Sequence, residues 1–334
     1  MISLRRINPK VPAILMGLAL ATAAVITLNM MMGEYPIPPL DVWKTVFGVG
    51  SGEYDFVVKT LRLPRNLVAV LVGAALGVSG AILQGMARNP LASPDVIGIT
   101  GGANLAAVAV IALYPKSPLW ALPVSAFAGA ALAAALTYLL AWKGGSSPIR
   151  MVLVGIGIAS VAAALTTVIL THARVLVVSQ AMVWMTGSVY ARSWEHLRPL
   201  LPWLLLFLPL AFAMARHLDA LQLGDEVARG LGSRVEANRG VLLLTSVALA
   251  GAAVATAGAI GFVGLMAPHI SRRLVGPTAA GLLPTAALVG GLLVVFADML
   301  GRVVFAPIEI PAGVITALVG APYFIYLLYQ TRNA

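Results

Sequence analysis

The chain has 334 residues, 60% of them hydrophobic and 10% charged, with 22 Lys and Arg against 12 Asp and Glu. Soluble domains carry about a quarter charged residues, so the composition excludes a soluble globular protein and predicts an all-α polytopic membrane protein, a single domain over residues 1–334. The net charge of +10 suits a basic face beside anionic lipid rather than nucleic acid, and the absence of cysteine excludes disulfides, thiolate metal sites and a cysteine nucleophile.

Arg5, Arg6 and Lys10 precede an apolar run over Val11–Met32. No small-residue cleavage pattern follows, so the run reads as a retained first span rather than a signal peptide. A helix needs roughly 20 apolar residues to cross the hydrocarbon. Ten segments are candidates, near 12–32, 66–86, 96–113, 119–142, 151–171, 199–215, 240–259, 261–274, 283–303 and 311–329. An even number puts both termini on one side, and the N-terminal basic residues place that side in the cytoplasm.

Residues 33–62 then form an external segment, with a Pro36-Ile-Pro-Pro39 turn and a short interfacial helix around Leu40, Val42, Trp43 and Val46. Arg62-Leu-Pro-Arg65 opens the second span, Pro64 sitting near a helix start where its missing N–H costs nothing. That span is rich in small residues, Gly73, Gly77, Gly80 and Ala81, which allow close helix approach. It ends in the proline-containing loop Arg88-Asn-Pro-Leu-Ala-Ser-Pro94. The apolar piece from Val175 to Tyr190 is too short to span and reads as a re-entrant or surface helix.

The seventh span echoes the second: Gly251–Ile260 matches Gly73–Ile82 at six of ten positions. The second runs inward and the seventh outward, as inverted-topology repeats over spans 2–5 and 7–10 require.

No GxxxxGK[ST] or HExxH pattern is present, and the four His, at 172, 196, 217 and 269, are scattered. His269, after a proline at a helix break, suits a structural role, and the segment with His172, Met182 and Met185 reads as packing. The sequence thus predicts no catalytic site, no metal site and no cofactor bound by this chain. Asp298 is the one acid placed well inside a span, and Arg302, one helical turn on, is its expected partner in a buried pair. Arg62, Arg65 and Arg302 fall at outer span ends, against the usual bias, where lipid head groups, helix-end pairing or docking of a carboxylate-bearing protein could account for them.

Between spans six and seven lies a polar insert, residues 216–239. Its stretch Gly224–Arg239 holds six charged residues in sixteen, with Val227, Leu231 and Val235 on one helical face and Gly230 and Gly232 interrupting it. On pattern alone it is a solvated connector or a partner surface.

Five motifs together resemble the FecCD permease family: RLPR (62–65), GAALGVSGAILQGMARNPLASPDVIG (73–98), LGDEVARGLGSRVEANR (223–239), GAIGFVGLMAPHISR (258–272), and ADMLGR with EIPAGVITALVGAP (297–322). The resemblance implies a type II ABC importer permease of ten transmembrane helices in a bacterial inner membrane. Such permeases pair with a second permease, the same chain or a sister, and with two ATP-binding cassette subunits that carry ATP and Mg. A periplasmic or lipid-anchored binding protein delivers the substrate. It implies ATPase coupling through Gly224, Asp225, Glu226, Ala228, Arg229, Leu231, Gly232 and Arg239. It also implies binding-protein docking on Arg62, Arg65 and Arg302, and a cytoplasmic gate at Asn89 and Leu91. Pro148 and Ile149 stand where the vitamin B12 member has small hydroxyl residues, so the second half of that gate is not carried over. The expected cargo is a ferric siderophore, with haem or vitamin B12 as alternatives. An ion-coupled secondary transporter is the distant rival, and a membrane-embedded enzyme lacks the clustered groups it needs.

Overall fold

A computed structural model describes residues 10–33, 35–143, 145, 147–304 and 306–332. Arg5 and Arg6 lie outside the described residues. The described chain is helical throughout, in the order α1 (Val11–Met31), α2 (Pro39–Val46), a π-helical stretch (Phe56–Arg62) running directly into α3 (Leu63–Ala87), α4 (Ile99–Leu113), α5 (Ala121–Ala141), α6 (Pro148–Thr171), α7 (Val175–Thr186), α8 (Trp194–Ala213), α9 (Ala215–Gln222), α10 (Asp225–Gly230), α11 (Val235–Ala257), α12 (Val263–Val275), α13 (Ala279–Val303) and α14 (Ala312–Arg332).

Each of the ten expected spans is a helix, but among the described residues seven are long and apolar enough to cross a membrane: α1, Phe56–Ala87, α5, α6, α8, α11 and α13. Of the other three, α4 has 15 residues and α12 has 13, and α14 is apolar over Ala312–Tyr326. The shortening of α4 and α12 has a backbone cause. Each is entered from a left-handed residue, Gly98 (φ +87°) before α4 and Phe262 (φ +66°) before α12. The turns that a full span would contain are replaced by the non-helical stretches 88–98 and 258–262.

The small residues of α3 set the packing. A Cβ on Gly73 would lie 2.1 Å from the Gly290 carbonyl oxygen of α13, and one on Gly77 would lie 2.2 Å from that of Ala286. At Gly80 the obstruction is the Gly264 carbonyl of α12, 1.8 Å away. Backbone therefore touches backbone along α3, where lipid-like side chains supply no hydrophobic drive and close van der Waals packing must hold the helices. One buried polar contact adds to this, Ser79 Oγ to Ser246 Oγ of α11 at 2.7 Å.

The packing order is an exchange between two four-helix sets. In the first set α4 packs on α5 and α6, and α5 on α6; in the second α12 packs on α13 and α14, and α13 on α14. The leading helix of each set crosses over: α3 packs on α12 and α13, while α11 packs on α4 and α5, and the two leading helices pack on each other. Outside the sets, α1 lies on α13, and α8 on α11 and α3.

The expected short segment near 175–190 is α7. Its C-terminal end is held by neighbouring helices. Ser188 N–H donates to the Ala257 carbonyl (2.7 Å) at the end of α11, and the Gly187 carbonyl accepts from Gly313 N–H (3.0 Å) in α14. No side chain fits at Gly313, where a Cβ would stand 1.8 Å from the Thr186 carbonyl.

Candidate functional site

The chemistry of the chain lies at the two ends of α3. At the end where α3 begins, Arg65 donates to both oxygens of Asp298, from Nη2 to Oδ1 at 2.7 Å and from Nε to Oδ2 at 3.0 Å, and from Nη2 to Glu309 Oε2 at 2.9 Å. Its guanidinium also lies over the Tyr190 ring, 5.5 Å from the centroid. Asp298 is therefore not paired with Arg302, as the one-turn spacing suggested. Arg302 instead donates to the carbonyl and side-chain oxygens of Asn29 in α1. Asn29 Nδ2 in turn donates to Asn66 Oδ1 (2.8 Å), and Asn66 Nδ2 to the Arg62 carbonyl (2.8 Å).

The reason for the partner exchange is the register of α3 against α13. The two helices run antiparallel with Gly73 opposite Gly290. Eight residues further along each, about 12 Å of rise, come Arg65 and Asp298. The close glycine contact brings these two side chains face to face, and a bidentate fork across helices satisfies a carboxylate better than an arginine reaching along its own helix.

Arg62 is also turned inward. It is buried and donates to the Met30 and Tyr35 carbonyls, the latter at 2.7 Å. All three arginines assigned to docking thus converge at one end of the bundle with partners from this chain. Arg62 and Arg302 secure the end of α1, while Arg65 shares a carboxylate, Glu309, whose side chain is 30% exposed.

At the opposite end, α9 and α10 form the polar insert. Gly224, at φ +105°, makes the turn between them, a conformation that disfavours other residues. The predicted interruption at Gly230 and Gly232 is present: α10 stops at Gly230, and α11 starts at Val235. Leu223, Val227 and Leu231 are exposed, beside exposed Glu226 and Arg229. Ala228 and Arg239, expected on the same surface, are buried. Arg239 is 1% exposed; its Nη2 donates to Asp225 Oδ1 at 2.8 Å and its Nη1 to Glu236 Oε1 at 3.4 Å. Arg88 approaches the same Asp225 oxygen at 3.9 Å.

Arg88, left-handed at φ +51°, ends α3, and Asn89 Oδ1 then accepts from Leu91 N–H (2.9 Å), which folds the next turn back on itself. Leu91 is exposed. Asn89, Leu91 and the polar insert therefore occupy one end of the molecule. Asp219, which sequence reasoning passed over, joins α9 to α13 by accepting from the Ala279 N–H at 2.8 Å. Its only sequence signal is an acid in an amphipathic short helix. Among the described residues no three His, Cys, Asp or Glu side chains come together.

The described residues thus form a bundle of close-packed crossing helices, with a polar hairpin at one end and an arginine–carboxylate cluster at the other. The chain belongs to the FecCD transport family, whose sequence model matches residues 13–330. It is 48% identical to the probable siderophore transport system permease protein YfhA of Bacillus subtilis, over 96% of this chain and 94% of that one. It is 39% identical to the Fe(3+) dicitrate transport system permease protein FecD of Escherichia coli, over 96% and 99%. Among solved structures, a metal-chelate type ABC transporter in an inward-facing conformation superposes with a TM-score of 0.86 at 31% identity, covering 96% of this chain and 99% of that one.

Proposed function

We propose that this chain is the permease subunit of an ATP-driven importer that carries a ferric siderophore across the bacterial inner membrane. The observation that carries this reading is the surface at the α9–α10 end. Leu223, Val227 and Leu231 project as exposed apolar knobs flanked by Glu226 and Arg229, on a hairpin anchored from beneath by Asp219, Asp225 and Arg239. An apolar centre with a charged rim, on a braced support, suits a protein partner better than water. The partner is an ATPase subunit, one for each of two permeases, and it supplies ATP and Mg. The siderophore assignment is supported by the names of the relatives, which include siderophore and iron-citrate permeases.

In this reading all ten helices cross the membrane. The termini and the α9–α10 hairpin are cytoplasmic, and α4 and α12 reach full depth with help from the non-helical stretches before them. The exchange of α3 and α11 between the two helix sets supports inverted repeats over spans 2–5 and 7–10, as does the shortening of α4 and α12, which hold corresponding places. A substrate-binding protein docks at the Arg65 end. Arg65 is the group a partner's carboxylate reaches, by replacing Glu309. Arg62 and Arg302 hold the frame around it. ATP-driven movement of the hairpin passes to the loop with Asn89 and Leu91, which opens and closes the inner mouth.

The test is co-purification of the chain with its ATPase, with and without Val227→Asp. Loss of the ATPase from the variant, with the permease still folded, supports the assignment. Full retention contradicts it.

A further inference from the structure

Arg239 holds an unusual position for a charged residue. It is 1% exposed, and with Leu83, Met86, Ile97, Pro148 and Met151 it lines a small cavity at the inner end of the bundle. Those neighbours belong to three separate segments. Leu83 and Met86 are in the last turns of α3, Ile97 closes the loop that starts at Asn89, and Pro148 and Met151 open α6. The guanidinium reaches out of this group to Asp225, the first residue of α10, at 2.8 Å, and to Glu236 at 3.4 Å. Asp225 is bracketed from the other side by Arg88 at 3.9 Å, the residue before Asn89. The turn before α10 is fitted to this arrangement, since a Cβ on Gly224 would stand 3.2 Å from Arg88 Nη1.

From this geometry we infer that the Asp225–Arg239 ion pair is the link that passes movement of α10 to the loop bearing Asn89 and Leu91 and to the start of α6. The inference rests on the ATPase-coupling reading of the hairpin. Arg239 does not touch the ATPase; it is a positioning residue. Arg239 is buried and Asp225 partly so, and separating them removes the shortest ion-pair contact of a charge in a low-dielectric setting, which makes the pair stiff. Displacement of α10 therefore carries Asp225, Arg239 and the surrounding side chains as one body. The fork geometry matters as well as the charge, because Arg239 holds two carboxylates at once, which a lysine's single ammonium does not do in the same orientation.

The chain contains no cysteine, so an introduced thiol is its only one, and cysteine-free forms of the ATPase and binding protein keep the background low. The experiment uses the complete complex of permease, ATPase and binding protein in proteoliposomes. A Leu91→Cys thiol reports the gate loop through its rate of maleimide labelling with and without ATP. A Val227→Cys thiol carrying a photoreactive group reports contact of α10 with the ATPase. In the parent chain ATP changes the Leu91→Cys labelling rate severalfold. With Arg239→Lys or Asp225→Asn the ATP response at Leu91→Cys is lost and transport per ATP hydrolysed falls severalfold, while the Val227→Cys cross-link persists. Arg239→Lys retains the buried charge and is read alone if Asp225→Asn does not assemble. An unchanged ATP response and unchanged transport per ATP in Arg239→Lys overturn the link. Absence of the Val227→Cys cross-link in the parent chain overturns the coupling reading itself and with it the link.

Discussion

Arg65 of α3 and Asp298 of α13 meet at 2.7 Å, eight residues beyond the point where Gly73 and Gly290 bring the same two helices into backbone contact. The glycines set the register, and the register selects the ion pair. Asp298 is 2% exposed and has a full set of partners in Arg65 and Asn29. A structural role, rather than proton carriage, is therefore expected of it.

Removing one member of this pair leaves the other charge buried. Arg65→Met is expected to destabilise the protein by about 3–5 kcal/mol and Asp298→Asn, which leaves Arg65 on Glu309, by less, and an apolar replacement of both Arg65 and Asp298 recovers part of the loss. Thermal unfolding of the detergent-purified chain measures this. Transport per folded molecule stays near the parent value in Asp298→Asn. An ion-coupled carrier would show the reverse, retained stability with lost transport.

Small residues along α3 are equally exacting. Gly80→Val places carbon where the Gly264 carbonyl stands and separates α3 from α12, an overpacking cost of about 1–3 kcal/mol or more. Gly157 in α6 has no atom within 4 Å of its Cβ position, so Gly157→Ala is expected to gain up to about 1 kcal/mol from helix propensity. Unfolding midpoints of the two variants should move in opposite directions.

At the hairpin, exposure separates two kinds of substitution. Val227→Asp and Leu231→Asp alter exposed side chains, so the fold survives. ATPase binding weakens by roughly 2 kcal/mol, about thirtyfold, if they are anchors of the interface. Ala228→Asp instead buries a charge at a fully enclosed site and lowers stability. Gel filtration and ATPase titration of the three variants distinguish these effects.

At the opposite end, Glu309 holds Arg65, and if a binding protein docks on Arg65 through a carboxylate, Glu309 competes with it. Glu309→Gln is expected to strengthen docking and Arg65→Lys, which keeps the charge beside Asp298 but loses the fork, to weaken it, both effects shrinking as salt is raised. Surface plasmon resonance with the binding protein reads this directly. Equal affinity in the parent and both variants removes Arg65 from the docking surface.

Much of this architecture is legible in the sequence because lipid imposes simple rules. Each of the ten expected spans is helical at its expected place, since long apolar runs such as Val11–Met31 and Val235–Ala257 have no alternative in a bilayer. The hairpin and its glycine breaks are equally visible. What the sequence hides is which side chains meet. Spacing along α13 favoured Arg302 as the partner of Asp298, whereas the partner lies 233 residues away on α3. No local pattern encodes that choice; it follows from glycines packing at a distance. Likewise the motif containing Arg239 reads as one surface. Only burial separates the residues that brace the hairpin, Ala228 and Arg239, from those that present it, Val227 and Leu231. The short lengths of α4 and α12 depend on left-handed turns at Gly98 and Phe262, and Phe262 carries no sequence signal for such a turn.

The most direct measurement is uptake of a radio-iron siderophore into proteoliposomes containing this chain, its ATPase and its binding protein, run beside labelled cobalamin. The account predicts iron uptake that requires ATP, the ATPase and the binding protein together, with cobalamin excluded. Uptake that proceeds without the ATPase would contradict it.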